Sequence, residues 1–329
     1  MRVLTVTNMW PRRDRPAFGA FVQSQVQSLE ALGVDIALHV IAGDRGAVAY
    51  ALDVPAVRTA VRRFRPDLVH AHYGLAGWTA QWQPRPLVVS FCGDDLLGSA
   101  ARGAARQSKS RITMRMSQAV ARKAAAIICK SRNLAAALER PADRARTHVI
   151  PNGVNIDRFS PGDRDAARRT LGFDPAERLI LFPHAPEQAE QKGFALAESV
   201  MQRVRSAEPA ARLLHVTGVP HARMPEFYRA ADCLLLTSKS EGSPNVVKEA
   251  LACALPVVGV DAGDVREWLS RVSECRVAER RAEPLAEAVL DVLRAGRRAD
   301  TSSVRAELDE RTVARRIRAV YEQVAGGTA

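Results

Sequence analysis

Short apolar runs alternate with longer amphipathic segments along the whole chain of 329 residues. The segments between the runs carry apolar residues at helical spacing, as at 21–32. Short strands that alternate with helices predict parallel sheets with helical crossovers. The runs predicted to be strands are 2–8, 34–42, 67–73, 86–93, 125–131 and 147–153, followed by 178–185, 212–219, 232–238 and 255–261.

Two successive series of this kind predict an α/β protein with two Rossmann-like domains whose parallel sheets face each other across a cleft. A chain of this length fits about two domains of ~150 residues. The turn-rich stretch 151–163 is the predicted hinge. We therefore expect an N-terminal domain over 1–157, a C-terminal domain over 158–309, and a final helix within 310–329 that packs back toward the N-terminal domain.

Composition narrows the class of protein. No apolar run reaches the ~18 residues that span a bilayer, and the first ten residues lack the pattern of a signal peptide. The five cysteines are scattered without a CxxC spacing, which argues against a zinc site or a disulfide framework. We expect a cytoplasmic protein without a metal or other cofactor.

The net charge of +12 is unevenly distributed: residues 101–150 hold twelve Lys or Arg and two acidic residues. Such a patch attracts nucleic acid, an anionic membrane or a phosphorylated substrate, and solvated surface charge is the simpler reading. The segment has no Phe, Trp or Tyr for base stacking, which disfavours single-stranded nucleic acid. On a helix, Arg102, Arg106 and Lys109 would share a face, and an apolar stripe would run through Ile112, Met116 and Ala119 or Val120.

The segment "SEGSPNVVKEALACALPVVGVD" (240–261) places Glu241 and Glu249 around a predicted helix start. Ser243 is the expected N-cap and Pro244 the first helical residue, with the helix ending near 254. Amides at a helix start bind anions, and carboxylates on either side accept hydrogen bonds from hydroxyl groups. A nucleotide sugar has this layout, with a diphosphate between a ribose and a hexose. Two solvated glutamates on an ordinary helix are the alternative.

The motif E-G-x-P-x-x-x-x-E-A-x-A-x-x-x-P-V-V over 241–258 resembles the two-glutamate signature of the family-4 (group 1) retaining glycosyltransferases. The segments 4–33, 88–98, 124–131 and 149–159 resemble further segments of that family in the same order. The resemblance implies the B-type fold of two Rossmann-like domains, with the donor bound mainly by the C-terminal domain and the acceptor by the N-terminal one.

The resemblance also implies roles for individual residues. Lys192 would neutralise the leaving phosphate, Glu241 would bind the donor sugar, and Glu249 would bind the ribose. Gly19 would let backbone approach the phosphates from the other domain. The remaining donor-binding residues implied are Gly242, Ser243, Pro244, Asn245 and Val246.

The sequence departs from the family in three places. No Arg precedes Lys192 in 183–191, so the expected cation is missing or comes from Lys239 or Arg15. Cys92 occupies the place of a common His and is either an acceptor contact or only a small residue at a strand end. The segment 212–228 omits a helix and a strand that help to hold the nucleobase, so the base cannot be read.

Acceptor contacts are predicted from the N-terminal domain. Of His70 and His72, one is expected to face the cleft while the other packs inward, and His72 is the candidate. Asp94 and Asp95 bind acceptor hydroxyls or cap the following helix.

The predicted function is transfer of a hexose, with retention, from a nucleoside-diphosphate sugar to a saccharide or a lipid-linked acceptor in synthesis of a bacterial envelope polysaccharide or exopolysaccharide. The basic segment 101–146 would attach the protein peripherally to the inner face of the membrane. One alternative is a sugar-nucleotide epimerase or hydrolase of the same fold. The other, from a different class, is a basic nucleic-acid-binding protein.

Overall fold

The computed structural model describes residues 1–15, 18–43, 46–98, 104–185 and 188–327. Within these ranges the chain divides into two compact units. Unit 1 comprises Met1–Gly153 and Glu310–Ala329, and unit 2 comprises Val154–Asp309.

Unit 1 is built on a parallel sheet of six strands in the order β2-β1-β3-β4-β5-β6. The strands are β1 (Arg2–Thr7), β2 (Asp35–Val40), β3 (Leu68–His72), β4 (Leu87–Phe91), β5 (Ala126–Cys129) and β6 (Thr147–Val149). The helices are α1 (Ala20–Glu30), α2 (Ala47–Leu52), α3 (Val54–Phe64), α4 (Gly74–Ala80), α5 (Asp94–Leu97), α6 (Ala104–Ala121), α7 (Arg132–Ala136) and α8 (Pro141–Ala145), with α17 (Glu310–Gly326) from the end of the chain.

Unit 2 is built on a parallel sheet of five strands in the order β11-β10-β9-β7-β8. The strands are β7 (Arg178–Pro183), β8 (Ala211–Val216), β9 (Cys233–Leu236), β10 (Val257–Val260) and β11 (Arg276–Ala278). The helices are α9 (Arg164–Leu171), α10 (Ala189–Lys192), α11 (Phe194–Ala207), α12 (Met224–Ala230), α13 (Asn245–Ala252), α14 (Val265–Leu269), α15 (Ala282–Ala295) and α16 (Ser302–Leu308), with a 3-10 turn at His221–Arg223.

Each sheet is covered on both faces, which explains why the strands read as continuous apolar runs. In β1, Val3 packs with α1 and α17 on one face, and Leu4 packs with α3 and α4 on the other. In unit 2, Leu179 and Ile180 belong to different cores in the same way. The two parallel sheets confirm the predicted α/β class.

The C-terminal helix α17 belongs to the core of unit 1. Its buried residues include Ile317, Val320 and Tyr321, which pack with Val3 and Leu68 of the sheet. The described part of the chain contains no helix long and apolar enough to cross a membrane.

Candidate functional site

Glu241 and Glu249 lie on either side of the start of α13. The helix begins at Asn245, because Pro244 has an extended conformation with φ −67° and ψ 118°. The predicted helix, which started at Pro244 and ended near 254, is therefore too long at both ends. Amides of the first turn of a helix point outward along its axis, where the helix dipole favours an anion.

The predicted capping role of Ser243 is wrong, because its side chain is used elsewhere. Its hydroxyl donates a hydrogen bond to the carboxylate of Asp264 (2.6 Å) and makes no bond that caps the helix. The ammonium of Lys248 donates to both the hydroxyl and the carbonyl oxygen of Ser243, the latter at 3.2 Å. The indole of Trp268 donates to the same carboxylate oxygen of Asp264 at 2.9 Å.

This network fixes the position of Ser243, directly before the start of α13. Lys248 is fully buried, and its Nζ lies 3.7 Å from the carboxylate of Asp264. Burial lowers the pKa of Lys248, against the opposing charges of Asp264, Glu249 and Glu241. A buried ammonium paired with a buried carboxylate holds the backbone of Ser243 in one place, since breaking either contact would leave a charge without compensation.

A second contact fixes the loop that carries Glu241. Gly263 has a φ of +65°, and a Cβ at this position would lie 2.7 Å from the carbonyl oxygen of Gly242. The loop after β10 therefore packs against residues 241–242 at a distance that only glycine allows. Val246, in the first turn of α13, is partly buried against the core of unit 2.

Lys192 meets Glu241 at this helix start. Its Nζ lies 2.6 Å from Oε1 of Glu241, and the side chains are 17% and 9% exposed. The next residue, Gly193, has a φ of +74°, and a Cβ there would lie 2.4 Å from the carbonyl oxygen of Thr237. The hydroxyl of Thr237 donates to the carbonyl of Lys192 at 2.8 Å. The backbone of Lys192 is thus fixed to the segment that follows β9.

Glu249 is held by two donors that sequence analysis did not predict. Nε2 of His221 lies 2.8 Å from one carboxylate oxygen, and the hydroxyl of Tyr228 donates to the other at 2.7 Å. Burial, together with the charge and hydrogen bond of Glu249, raises the pKa of Tyr228 well above its ordinary value. The phenol stays protonated and remains a donor. A His and a Tyr seven residues apart before β9 were the only sequence signal of this pair.

The proposed substitutes for the missing cation lie in different places. Lys239 pairs with Glu190 at 2.9 Å, and Arg15 belongs to unit 1. The structure instead places Arg280 beside the Lys192 loop, where its Nε donates to the carbonyls of Thr237 and Ser238 at 3.2 and 3.3 Å. Sequence analysis missed Arg280, which lies in the Arg- and Glu-rich stretch after β11.

In unit 1, Gly19 has a structural reason to be glycine. Its φ is +76°, and a Cβ there would lie 2.3 Å from the carbonyl carbon of Met9 and 2.5 Å from the amide nitrogen of Trp10. The turn that leads into α1 therefore requires glycine through packing within its own unit, before any ligand is considered.

His70 and His72 are both fully buried, so the prediction that they face different ways is wrong. Residues two apart on a strand point to the same face, and the two rings lie 4.3 Å apart. His70 bonds to the hydroxyls of Tyr321 and Ser90 at 2.5 and 2.8 Å. Burial, and then the charge of nearby Lys130, lowers the pKa of His70 to about 3.

His72 lies next to Gln25, with 3.3 Å between Nε2 of the ring and Nε2 of the amide. Its Nδ1 is buried and has no hydrogen-bond partner. Burial, followed by the charges of His70 and Lys130, lowers the pKa of His72 well below its ordinary value. A neutral and fully buried ring has no surface to offer an acceptor.

Asp95 is fully buried and organises the loop after β4. Its carboxylate accepts from the amides of Cys92, Gly93 and Gly74, the last two at 2.8 and 3.1 Å. Burial raises the pKa of Asp95 to about 6, although these amide bonds oppose the shift. Asp94 is exposed at the start of α5.

Cys92 is half-buried, and its thiol lies 3.8 Å from the carbonyl of Ser90. Burial, and then the charge of Asp95, raises the pKa of Cys92 to about 12. The side chain is therefore a neutral thiol near pH 7, and it does not replace a histidine as a base. Across the described ranges, no three His, Cys, Asp or Glu residues cluster in a way that could hold a metal ion.

The basic segment is helical over α6. Arg102 lies outside the described residues, as do the side chains of Arg106 and Lys109. The predicted apolar stripe divides, because Ile112 is 57% exposed and Ala119 is exposed, whereas Val120 is fully buried. Exposed basic side chains described on this helix and directly after it include Arg111, Arg115, Arg122 and Lys123.

Comparison with known families agrees with this arrangement. Residues 2–158 match the family model described as Glycosyltransferase Family 4, and residues 187–295 match the one described as Glycosyl transferases group 1. The second match includes Lys192, Glu241 and Glu249.

Individual relatives support the same assignment. The chain is 24% identical to a Bacillus subtilis protein named as a teichuronic acid biosynthesis glycosyltransferase, TuaC, over 88% of each chain. It is 29% identical to a D-inositol 3-phosphate glycosyltransferase of Geodermatophilus obscurus, over 61% of this chain and about half (53%) of that protein.

Solved structures show the same fold. Sucrose-phosphate synthase of Thermosynechococcus elongatus matches with a TM-score of 0.73 and 17% identity, over 99% of this chain and 96% of that one. Anabaena HepE in complex with UDP matches with a TM-score of 0.69 and 17% identity, over 98% and 100%. The two family models, which match residues 2–158 and 187–295, show that the chain belongs to the group 1 (family 4) glycosyltransferases, and the solved structures show that it has the B-type fold of two Rossmann-like domains.

Proposed function

We propose that the chain transfers a hexose, with retention, from a nucleoside-diphosphate sugar to a saccharide or a lipid-linked acceptor. The observation that carries the proposal is the grouping of Lys192, Glu241 and Glu249 around the start of α13. A cation, a helix start and two carboxylates are what a diphosphate between two hydroxyl-bearing sugars requires. The structural neighbour HepE has been solved with UDP, which supports a donor of this class.

In this proposal the diphosphate lies at the backbone amides of Ser243, Asn245 and Val246, since Pro244 has no N–H to donate. Glu241 accepts hydrogen bonds from the hexose, and Glu249 accepts them from the ribose. Two nearby cations, Lys192 and Lys248, are each already paired with a carboxylate in the free protein. Binding a diphosphate therefore relies on the helix-start amides and on Lys192 turning from Glu241 toward the phosphate.

Catalysis would come from stabilising the leaving diphosphate. Negative charge grows on the phosphate as the glycosidic bond breaks. The helix-start amides are fixed in place, and Lys192 has already turned to the phosphate when the donor is bound, so little energy is lost in reorganising around this charge. We assign no carboxylate as a nucleophile, since in this proposal Glu241 and Glu249 accept hydrogen bonds from hydroxyl groups of the donor. Retention then follows from front-face attack, in which the donor's own phosphate takes the proton of the acceptor hydroxyl.

The acceptor is assigned only by class. The similarity to TuaC, which is named for teichuronic acid biosynthesis, supports a role in building an envelope polysaccharide. Such acceptors are often attached to a lipid. The exposed arginines of α6 suit peripheral attachment to an anionic membrane surface, and we include this attachment in the proposal.

The deciding experiment is a thermal-shift screen with UDP, GDP, ADP and their hexose conjugates, followed by donor turnover with and without a saccharide acceptor. A nucleotide that stabilises the chain, with turnover that requires the acceptor, is the expected result. Donor turnover without an acceptor would instead indicate an epimerase or a hydrolase. Binding to nucleic acid that weakens with salt, with no nucleotide effect, would overturn the proposal in favour of a nucleic-acid-binding protein.

A further inference from the structure

The carboxylate of Glu249 is held at both oxygens in the free protein. Tyr228, which is fully buried, donates to one oxygen, and His221 lies 2.8 Å from the other. The side chain of Glu249 is 10% exposed and that of His221 is 34% exposed. The imidazole is therefore the partner on the solvent side, where a ligand would reach the carboxylate.

The position of His221 is set by its surroundings in unit 2. It opens the 3-10 turn His221–Arg223, five residues after the last residue of β8. Its ring lies against the ring of Phe159, with 5.1 Å between centroids and 41° between planes. The ring contact and the bond to Glu249 together hold the imidazole in one orientation.

The charges that face His221 favour its protonated form. Burial alone would lower the pKa of His221, but the hydrogen bond and the charge of Glu249 outweigh burial and raise it, with Arg158 acting in the opposite direction. Tyr228, on α12, faces the same carboxylate as a neutral donor. Nε2 of the imidazole therefore donates to Glu249.

His221 and Tyr228 do not use the full hydrogen-bond acceptor capacity of the Glu249 carboxylate. Each oxygen has two lone pairs, so Glu249 can accept about two further hydrogen bonds in the plane of the group. Because His221 and Tyr228 fix that plane, they also fix where the remaining lone pairs point. A pair of adjacent hydroxyls, as on a ribose, matches two lone pairs held in this way.

We propose that His221 is a positioning residue of the nucleoside end of the donor site, which orients the carboxylate of Glu249 toward the ribose hydroxyls of a nucleoside-diphosphate sugar. This inference rests on the proposed function. A ribose that covers Glu249 excludes water from the pair, which strengthens the attraction between imidazolium and carboxylate. Donor binding therefore favours protonated His221, and donor affinity falls as pH rises through the pKa of this residue.

The test is isothermal titration with UDP-glucose, GDP-mannose and ADP-glucose across roughly pH 6 to 8.5, which extends above the ordinary range of histidine because the pKa of His221 is raised by Glu249. The variants are His221→Ala and His221→Gln, the second of which keeps an N–H donor without the titration. His39→Gln is the matched control, because His39 pairs with Asp53 at 2.6 Å in unit 1.

We expect His221→Ala to weaken donor binding roughly ten- to hundredfold, the usual effect of losing one hydrogen bond to a charged group. His221→Gln should restore most of the affinity at the high end of the range and remove the dependence on pH. The control, His39→Gln, should keep the parental donor affinity and its parental dependence on pH. Parental affinity and parental pH dependence in His221→Ala, or an unchanged pH dependence in His221→Gln, would overturn the inference. If no nucleotide sugar binds the parent at any pH, the proposed function fails, and this inference fails with it.

Discussion

The ammonium of Lys192 and the carboxylate of Glu241 form an ion pair of 2.6 Å in the free protein, although 49 residues separate them along the chain. Both side chains are largely shielded from water. In the free protein, the cation proposed to bind the leaving phosphate is thus paired with the carboxylate proposed to bind the sugar. Removing either group also releases the other, so each must be tested with its partner in mind.

We expect Lys192→Ala to lower kcat by roughly 10²–10³ while changing donor affinity much less, since the phosphate charge grows mainly in the transition state. Steady-state kinetics and direct donor titration check this expectation. Lys239→Ala is the matched control, because Lys239 lies on the adjacent loop and pairs with Glu190. A rise in KM at constant kcat would show that Lys192 only binds the donor.

We expect Glu249→Ala to weaken nucleoside-diphosphate binding by about 1.5–3 kcal/mol for each charge-assisted ribose bond lost, as an upper limit. The melting temperature should fall as well, because the variant leaves the buried hydroxyl of Tyr228 without its acceptor. Glu190→Ala serves as the control, since Glu190 is an exposed carboxylate on α10. Parental affinity in Glu249→Ala would show that the ribose lies elsewhere.

The fold class could be predicted from the alternation of short apolar runs with helical segments, because a strand covered on both faces is apolar throughout. The three-residue strand β11 escaped prediction, since Arg276–Ala278 is too short to show a pattern. Glu241 and Glu249 could be read from one segment. The contacts of these glutamates could not be read, because His221 and Tyr228 reach Glu249, and Lys192 reaches Glu241, through tertiary contacts that no local spacing reveals. Lys192 itself was named through the family resemblance.

The error at Ser243 has a related cause. Serine before a proline is a good helix cap by local preference. In the folded chain the hydroxyl has a stronger alternative, in which it lies between the ammonium of Lys248 and the carboxylate of Asp264. Charged partners outweigh the local preference, and only the tertiary structure brings them within reach.

We expect Gly19→Ala to destabilise the protein by about 2 kcal/mol or more in the absence of any ligand, because the new Cβ would overlap the backbone of Met9. Gly33→Ala is the matched control. It also has a positive φ, of +81°, but a Cβ there would meet no atom within 4 Å. Urea unfolding should show a larger loss for Gly19→Ala than for Gly33→Ala. Equal losses would mean that backbone angle alone requires glycine at 19.

Burial of neutral His70 predicts loss of stability in acid. The pKa of His70 is about 3 in the folded chain and near 6.5 when unfolded, so between these values only the unfolded state binds the proton. Stability therefore falls as pH drops below 6.5, by about 1.4 kcal/mol per pH unit for this residue. His72, whose pKa is also lowered, adds a change of the same sign.

Urea unfolding between about pH 6.5 and 4.5 tests this linkage. Of the four tryptophans, Trp268 is the one in unit 2, so a Trp268→Phe background makes fluorescence report unit 1. His70→Gln should lower the slope of the unfolding free energy against pH by about 1.4 kcal/mol per pH unit, the contribution of one proton. His39→Gln is the control. An unchanged slope in His70→Gln would contradict the assignment of His70 as the titrating group.

The last prediction concerns attachment to a membrane through α6. Arg111, Arg115 and Arg122 are exposed, and Ile112 beside them is 57% exposed. Each basic residue near an anionic lipid surface contributes about 1 kcal/mol, so changing these three to Glu should weaken binding at least roughly 100-fold. Sedimentation with phosphatidylglycerol vesicles should show binding that fades with added salt.

The matched control changes Arg58, Arg62 and Arg63 to Glu, which removes the same charge from exposed positions of α3. If the two triple variants lose binding equally, the attraction comes from net charge rather than from α6. Equal binding to neutral vesicles, or none to anionic vesicles at low salt, would reduce the basic segment to solvated surface charge.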